Sequence, residues 1–391
     1  MAKSEKLPSD TVEFSINRID QFGNGVDDSK IPSLFLPGTL TGDSGSAKVT
    51  LKGSKFQRGE VINFTQESPN KVKPECPHFE ICSGCHLLHT DYENEKQIKL
   101  NHFERGYKTL FKAPEDKVEV QYLDAIERTG YRNRVQLHYD LKKNIIGFKA
   151  ATSNEIIEVP DCKIAGPAIE ELLQKFYQDY FWKTFLGPNE NEQGHIEIYE
   201  HPKSGEVQVS VNEKYAEGGF SQVNQPMNEA LLKTVSDKIY QDIVIGKDFW
   251  VFDLFGGDGN LSDELSKSHP KTMFAIVDQY PQKQKKSDNK LYLSHNLLSD
   301  NPLNSFKQRT PSDLKLSGLI VDPPRKGFPA LKDFALEYNP EWILYVSCNS
   351  STLIRDLQNL TLNNYKISQC FIVDFFPSTT HYESLIFLKR I

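Results

Sequence analysis

Positive charge is in short supply in this chain of 391 residues: 46 lysines and arginines face 53 aspartates and glutamates, a formal net charge of −7. That balance exerts no global pull on phosphates, so a nucleic-acid partner would have to be held by local basic patches and specific contacts. Long apolar runs are missing too. None reaches the roughly 18 residues of a membrane span, and the opening MAKSEKLPSD lacks the apolar core of a signal peptide. We expect a cytoplasmic protein with no membrane partner. Six cysteines are too few in a chain this long for a disulfide scaffold, and their uneven spacing points to metal binding or catalysis. Internal repeats and low-complexity tracts are absent.

What is present is a globular composition, 38% hydrophobic and 25% charged, enough to bury a full core in two or three domains. Three regions are expected. Within 1–70, short β-prone stretches (TVEFSINRI, SLFLPG, SAKVTL, EVINFTQ) alternate with Gly, Asp and Asn turns, the pattern of a small antiparallel barrel. Region 71–218 mixes charged helical segments with strands such as YRNRVQLHYDL and HIEIYEH, a mixed α+β central domain. Across 219–391 helix and strand alternate, which predicts an α/β domain with a largely parallel, Rossmann-like sheet.

The central region carries Cys76, Cys82 and Cys85, spaced Cys-x5-Cys-x2-Cys, and Cys162 stands far downstream. Four thiolates hold either a [4Fe-4S] cluster or a zinc ion. Three clustered cysteines with one remote partner favour the cluster, whereas structural zinc usually pairs two Cys-x2-Cys knuckles. His78, His86 and His89 keep a mixed zinc site open. The triplet also departs from the Cys-x3-Cys-x2-Cys of radical enzymes.

In the third region FWVFDLFGGDGNLS runs an apolar strand into Asp253, a glycine turn (Gly256, Gly257, Gly259) and a helix start expected near Asn260. Glycines let the backbone approach a cofactor at the carboxyl end of a parallel strand. An ordinary tight turn would read the same way. Asp278, ending the next strand, is placed to bond ribose hydroxyls, as either S-adenosylmethionine or NAD would require. Two prolines after Asp322 fix a rigid, non-helical loop, and YVSCNSSTLIRDL sets Cys348 between a strand and a helix, at the rim of the same cleft. The last two strands are joined by PSTTHYE, read as a hairpin loop bearing Glu383. An antiparallel final strand suits a methyltransferase better than a dehydrogenase.

DLFGGDGNLS, DPPRKG, SCNSSTLIRD and DFFPSTTHYES, in this order behind the cysteine quartet, together resemble the RNA uracil-C5 methyltransferases, and FLPGTLTGDSGSAKV resembles the TRAM barrel of the ribosomal-RNA members. The likeness spans nearly the whole chain. It implies Cys348 as the nucleophile that adds to uracil C6, Glu383 as the base that removes the C5 proton, and Asp322 as the residue that orients and polarises the ring. Gln222, Phe255, Gly257, Asp278, Asn296 and Asp322 would contact S-adenosylmethionine. The quartet would hold [4Fe-4S], and the substrate would be RNA, 23S ribosomal RNA before transfer RNA, met by a monomer.

The chain departs from the family pattern at Gly256, Asp258 and Leu261 of the glycine turn, and at Ser350, where proline is common. A target base must be flipped out to reach Cys348. Arg128, Tyr131, Arg132 and Arg134 are expected to stack on nucleotides and grip phosphates, although a solvated strand face fits the same spacing. A non-catalytic iron–sulfur RNA-binding protein would have lost Cys348, Asp322 or Glu383. A dinucleotide oxidoreductase gives no role to Cys348 or Glu383.

Overall fold

The computed structural model describes residues 10–201, 204–213, 222–243, 245, 249–279, 288–310, 314–361 and 364–391. The expected boundary at 218 and 219 lies outside the described residues. Two compact units divide the chain: Met1–His102 with Glu127–Ala216 and Phe376–Thr380, and Phe103–Ile126 with Glu217–Phe375 and His381–Ile391. Among the described residues no helix is long and apolar enough to cross a membrane.

The first unit opens with β1 (Thr11–Ser15), β2 (Arg18–Ile19), β3 (Gly25–Asp27), β4 (Leu34–Leu36), β5 (Ser44–Lys52) and β6 (Gln57–Gln66) in one sheet, ordered β1-β5-β6-β4-β3-β2. The pairings are antiparallel except β4 with β6. Period-two alternation sends one face inward. Phe14, Ile16, Ile19, Leu34, Leu36, Leu40 and Ala47 form its core. Helix α1 (Tyr92–Tyr107) follows, and then β7 (Val120–Leu123), a strand of the second unit.

The rest of the first unit is an antiparallel sheet of β8 (Arg134–Asp140), β9 (Ile145–Lys149), β10 (Ile156–Ile157), β11 (Gln193–Glu200) and β12 (Val207–Val211), ordered β10-β9-β8-β11-β12. Val135, Leu137 and Tyr139 of β8 and Ile196 and Ile198 of β11 alternate toward helix α2 (Pro167–Phe176). That helix returns Ile169, Leu173 and Phe176, spaced so that they share one face.

The second unit contains α3 (Gln225–Lys238), β13 (Phe249–Leu254), α4 (Asp263–Ser268), β14 (Met273–Asp278), β15 (Lys290–Ser294), α5 (Pro302–Lys307), β16 (Lys315–Val321), α6 (Leu331–Tyr338), β17 (Trp342–Ser347), α7 (Ser350–Thr361), β18 (Tyr365–Val373) and β19 (Glu383–Arg390). Its eight-stranded sheet runs β15-β14-β13-β16-β17-β19-β18-β7. Strands β13 to β17 are parallel, and β19 is antiparallel to both its neighbours. The central strands are apolar along their length because both faces are buried. Strand order reverses beside β13, and such a switch point opens a crevice at the carboxyl ends of the strands.

Candidate functional site

The glycine turn lies at this crevice. Phe255 leaves β13 with φ +62°, a left-handed conformation unusual for a side chain of its size, and its ring stands edge-on to Phe328 at 5.2 Å. At Gly256 an added Cβ would sit 2.6 Å from the Asp253 carboxyl carbon, whereas at Gly257 (φ +53°) it would meet none of the described residues within 4 Å. The turn is therefore closed on its protein side and open on the other. Gly257 N–H donates to Asp278 Oδ2 at 3.2 Å, which fixes the end of β14 against the turn. Asp253 is buried; it accepts from Ser262 Oγ at 2.6 Å through one oxygen, and the other oxygen has no hydrogen-bond partner among the described residues. Burial holds its carboxyl up at about 7. The helix expected near Asn260 begins at Asp263, because Gly259 (φ +89°) still belongs to the turn. Asn296 is exposed and caps a turn by accepting from Leu298 N–H at 3.0 Å; Gln222 is half-buried ahead of α3.

Cys348 follows β17 and Glu383 is the first residue of β19, paired with Val373, rather than part of the hairpin loop. Ser347 pairs with Ser384, so one cross-strand register lies beside both side chains. Asp322 follows β16, whose Val321 pairs with Tyr345 of β17. The three groups act on one another. Burial first, then Glu383 and to a lesser degree Asp322, push the Cys348 thiol up to about 11 against the opposing charge of Arg325. Burial, then Asp322, lifts the Glu383 carboxyl well above the usual range, again against Arg325. Burial, then Asp253, brings Asp322 to about 7.

Arg325 is a member of this group that the sequence reading passed over, although it stands in the same short loop as Asp322. That loop is pinned to the start of α7: Asn349 Nδ2 and Thr352 Oγ1 donate to the Arg325 carbonyl at 3.0 and 3.3 Å. Asp356, buried, accepts from Phe328 N–H at 2.6 Å, Tyr345 hydroxyl at 2.7 Å and the Arg355 guanidinium. Gly327 (φ +72°) allows this approach, since a Cβ there would lie 2.4 Å from Asp356 Oδ2. A thiol, two carboxyls of raised pKa and one guanidinium on rigid loops can add to, polarise and deprotonate an electron-poor ring.

In the first unit, Cys76, Cys82, Cys85 and Cys162 line one pocket with Phe79, Leu88, Val135, Phe148 and Arg132. Among the described residues no group of three or more His, Cys, Asp or Glu is close enough to hold a single ion. Gly84 N–H donates to Cys82 Sγ at 3.4 Å. Burial raises the thiols of Cys85 and Cys162, their neighbours' thiolates add to it, and Arg132 opposes it in both. The histidines lie elsewhere: His78 pairs with Asp161 at 2.9 Å, and His89, its rings 5.2 Å from Phe79, is pushed down to about 4 by burial.

The arginine-rich strand differs from expectation. Arg128 reaches Glu95 at 3.0 Å and the carbonyls of Leu87 and Thr90 at 3.0 and 2.7 Å. Tyr131 is buried and donates to the Pro377 carbonyl at 3.1 Å; Arg134 pairs with Glu197 at 3.3 Å. Arg132 lines the cysteine pocket. Arg128, Tyr131 and Arg134 are thus engaged inside the unit.

A parallel sheet with one antiparallel strand near its end, and a glycine turn at the switch point, defines a Rossmann-like α/β domain. The family described as tRNA (Uracil-5-)-methyltransferase matches residues 292–391. The chain is 26% identical over 436 residues to 23S rRNA (uracil(1939)-C(5))-methyltransferase RlmD of Marinomonas sp. (strain MWYL1), covering 96% of this chain and 94% of that protein. The protein of the same name from Vibrio parahaemolyticus is 26% identical over 446 residues, covering 99% and 98%. The solved structure of Pyrococcus abyssi tRNA (uracil-54, C5)-methyltransferase in complex with S-adenosyl-L-homocysteine shares the fold, with TM-score 0.68, 19% identity, and 96% of this chain and 99% of that one covered. The chain is thus similar along nearly its whole length to RNA uracil-C5 methyltransferases, and its residues 292–391 match the family model.

Proposed function

We propose that this protein methylates C5 of uridine in RNA with S-adenosylmethionine as methyl donor, and that its substrate is 23S ribosomal RNA. The observation that carries the reading is the meeting of Cys348, Asp322, Arg325 and Glu383 at the carboxyl edge of one sheet. Uracil C5 is a poor nucleophile. Cys348 gives its thiol proton to the ionised form of Asp322 and adds through sulfur to C6, and the C5–C6 π electrons move onto the C4 carbonyl oxygen as an enolate. Asp322, about half protonated at neutral pH, donates to that oxygen or accepts from the ring N–H. Arg325 favours the thiolate that must form. S-adenosylmethionine supplies an electrophilic methyl group, which C5 takes. Glu383 then removes the C5 proton, the C5–C6 double bond re-forms and the thiolate leaves. Glu383 must be ionised for that step, and a carboxylate whose conjugate acid has a raised pKa is then the stronger base.

Phe255, Gly257 and Asp278, with Gln222, Asn296 and Asp322, would hold the methyl donor; the open side of Gly257 and the unpartnered oxygen of Asp253 fit a ligand at the turn. The cysteine quartet fits a [4Fe-4S] cluster, whose thiolate ligands want apolar walls and N–H donors at sulfur. We assign it a structural role, tying the Cys76–Cys85 loop to the segment of Cys162. Residues 1–70 serve as a TRAM-like RNA-binding barrel, 71–218 as the cluster domain and 219–391 as the methyltransferase domain of a cytoplasmic monomer. Mass-spectrometric mapping of 5-methyluridine in a deletion strain tests the substrate. Loss of the mark from 23S ribosomal RNA supports this reading; loss from transfer RNA alone transfers the activity there, and an unchanged map in both overturns it.

A further inference from the structure

The two segments that carry Cys348 and Glu383 are joined twice. On the sheet side, Ser384 Oγ donates to the Ser347 carbonyl at 3.0 Å, both residues buried. On the far side, the Tyr382 hydroxyl donates to Ser350 Oγ at 3.1 Å, with Tyr382 5% and Ser350 8% exposed. Cys348 and Asn349 lie between these bonds on one segment, and Glu383 on the other. Two stretches of main chain and two hydrogen bonds thus close a small ring around the nucleophile and the base.

The two closures differ in kind. The inner one repeats what β-pairing already secures, because Ser347 and Ser384 are in register. The outer one has no sheet to support it: β19 begins at Glu383 and α7 at Ser350. Each of its ends is nevertheless fixed. The Tyr382 ring stands edge-on to Phe103 at 6.2 Å. Ser350 is set by the turn before it, where Asn349 N–H donates to Ser347 Oγ at 3.1 Å and Asn349 Oδ1 accepts from Ser351 N–H at 3.1 Å. Position 350 is the first residue of a helix, where proline is readily accepted and would stiffen the turn covalently. Serine offers an oxygen instead, and Tyr382 takes it.

We infer that the Tyr382–Ser350 hydrogen bond is a positioning clamp that sets Glu383 against C5 of a uracil already bound to Cys348. The inference rests on the catalytic roles proposed above. The two side chains must act on adjacent ring carbons, and a displacement on the order of 1 Å can cost about a hundredfold in rate. Binding Cys348 to C6 fixes where C5 lies, so a loosened Glu383 slows proton removal more than addition or methyl transfer. The methylated adduct then persists.

The test compares Tyr382→Phe, Ser350→Ala, the double variant and Ser350→Thr, with Glu383→Gln and Cys348→Ala as controls, on uridine RNA and a methyl-labelled donor. Tyr382→Phe and Ser350→Ala should each lower kcat by about tenfold, leave KM for RNA unchanged, and show a labelled covalent band on denaturing gels during turnover. The double variant should be no slower than either single one, and Ser350→Thr should restore turnover. Additive losses, a fall in kcat without the band, or wild-type turnover in both single variants overturns the clamp. Should Tyr382→Phe fail to fold, the Ser350→Ala and Ser350→Thr pair decides alone. Absence of adduct in Glu383→Gln instead removes the catalytic reading beneath it.

Discussion

The two cysteine-bearing sites of this protein start from the same physical condition and diverge. In both, burial makes a thiol hard to ionise. Around Cys348 the neighbours are two carboxyls and one guanidinium, and on the proposed function the site works with a neutral thiol that gives up its proton as it adds to the substrate. Around Cys85 and Cys162 the neighbours are the Arg132 guanidinium, which opposes the rise, and other thiols in place of carboxyls, so that ionising one thiol makes the next harder. Four such groups lining one apolar pocket gain most from a cationic centre that takes all of them as thiolates. On the proposed function the first arrangement serves as a reaction site and the second as a binding site.

The sharpest way to break that contrast is to remove a sulfur from each. Cys348→Ala should lower methylation by more than about 10⁴-fold with folding and bound iron unchanged, by single-turnover assay and iron analysis. Cys82→Ser should do the reverse: iron and sulfide, about four each per chain in anaerobically purified wild type, should fall, and melting temperature and RNA affinity should fall before the chemical step does. Colourless, active wild-type protein carrying one zinc would overturn the cluster.

A middle-sized effect is expected at Arg325, whose charge favours the Cys348 thiolate. Arg325→Gln should lower the rate of adduct formation by about tenfold at pH 7. The wild-type thiol titrates near 11. Both rates should therefore climb between about pH 7 and 9, with the gap preserved, because both thiols titrate above that window. A gap that closes within it would place the arginine's role elsewhere.

Which parts of this contrast could be read in the sequence follows from where the contacts fall along the chain. Cys348 and Asp322 end apolar strands in short motifs, so their shared edge was legible. Glu383 was found, but assigned to a loop; pairing with Val373 makes it the start of β19, a register that composition does not encode. The clamp between Tyr382 and Ser350 and the hub at Asp356 join segments distant in sequence, with no local signature. β7 joins the methyltransferase sheet from far upstream, beside β18. Arg128 to Arg134 carry the spacing of a phosphate-gripping strand, but alternation does not reveal whether a partner is a phosphate or the carboxylates of Glu95 and Glu197.

The smallest effect concerns stability. The Asp253 carboxyl keeps its proton up to about 7 in the folded protein, above the ordinary value of 3.8. The native state then binds more protons than the unfolded chain, so this group's contribution is fully present below the unfolded value and is lost as pH rises through the folded one. Asp253→Asn should flatten the fall in melting temperature between about pH 4 and pH 8; an unchanged slope would mean that the carboxyl is ionised in the fold.

The central claim is that Cys348 makes a bond which Glu383 later allows to break. The direct measurement is a denaturing gel of Glu383→Gln incubated with uridine RNA and a methyl-labelled donor. The account predicts a slow protein–RNA band that carries the label and builds up to one per active chain, because addition and methyl transfer proceed and elimination does not. Release of free 5-methyluridine at the wild-type rate, with no such band, would contradict it.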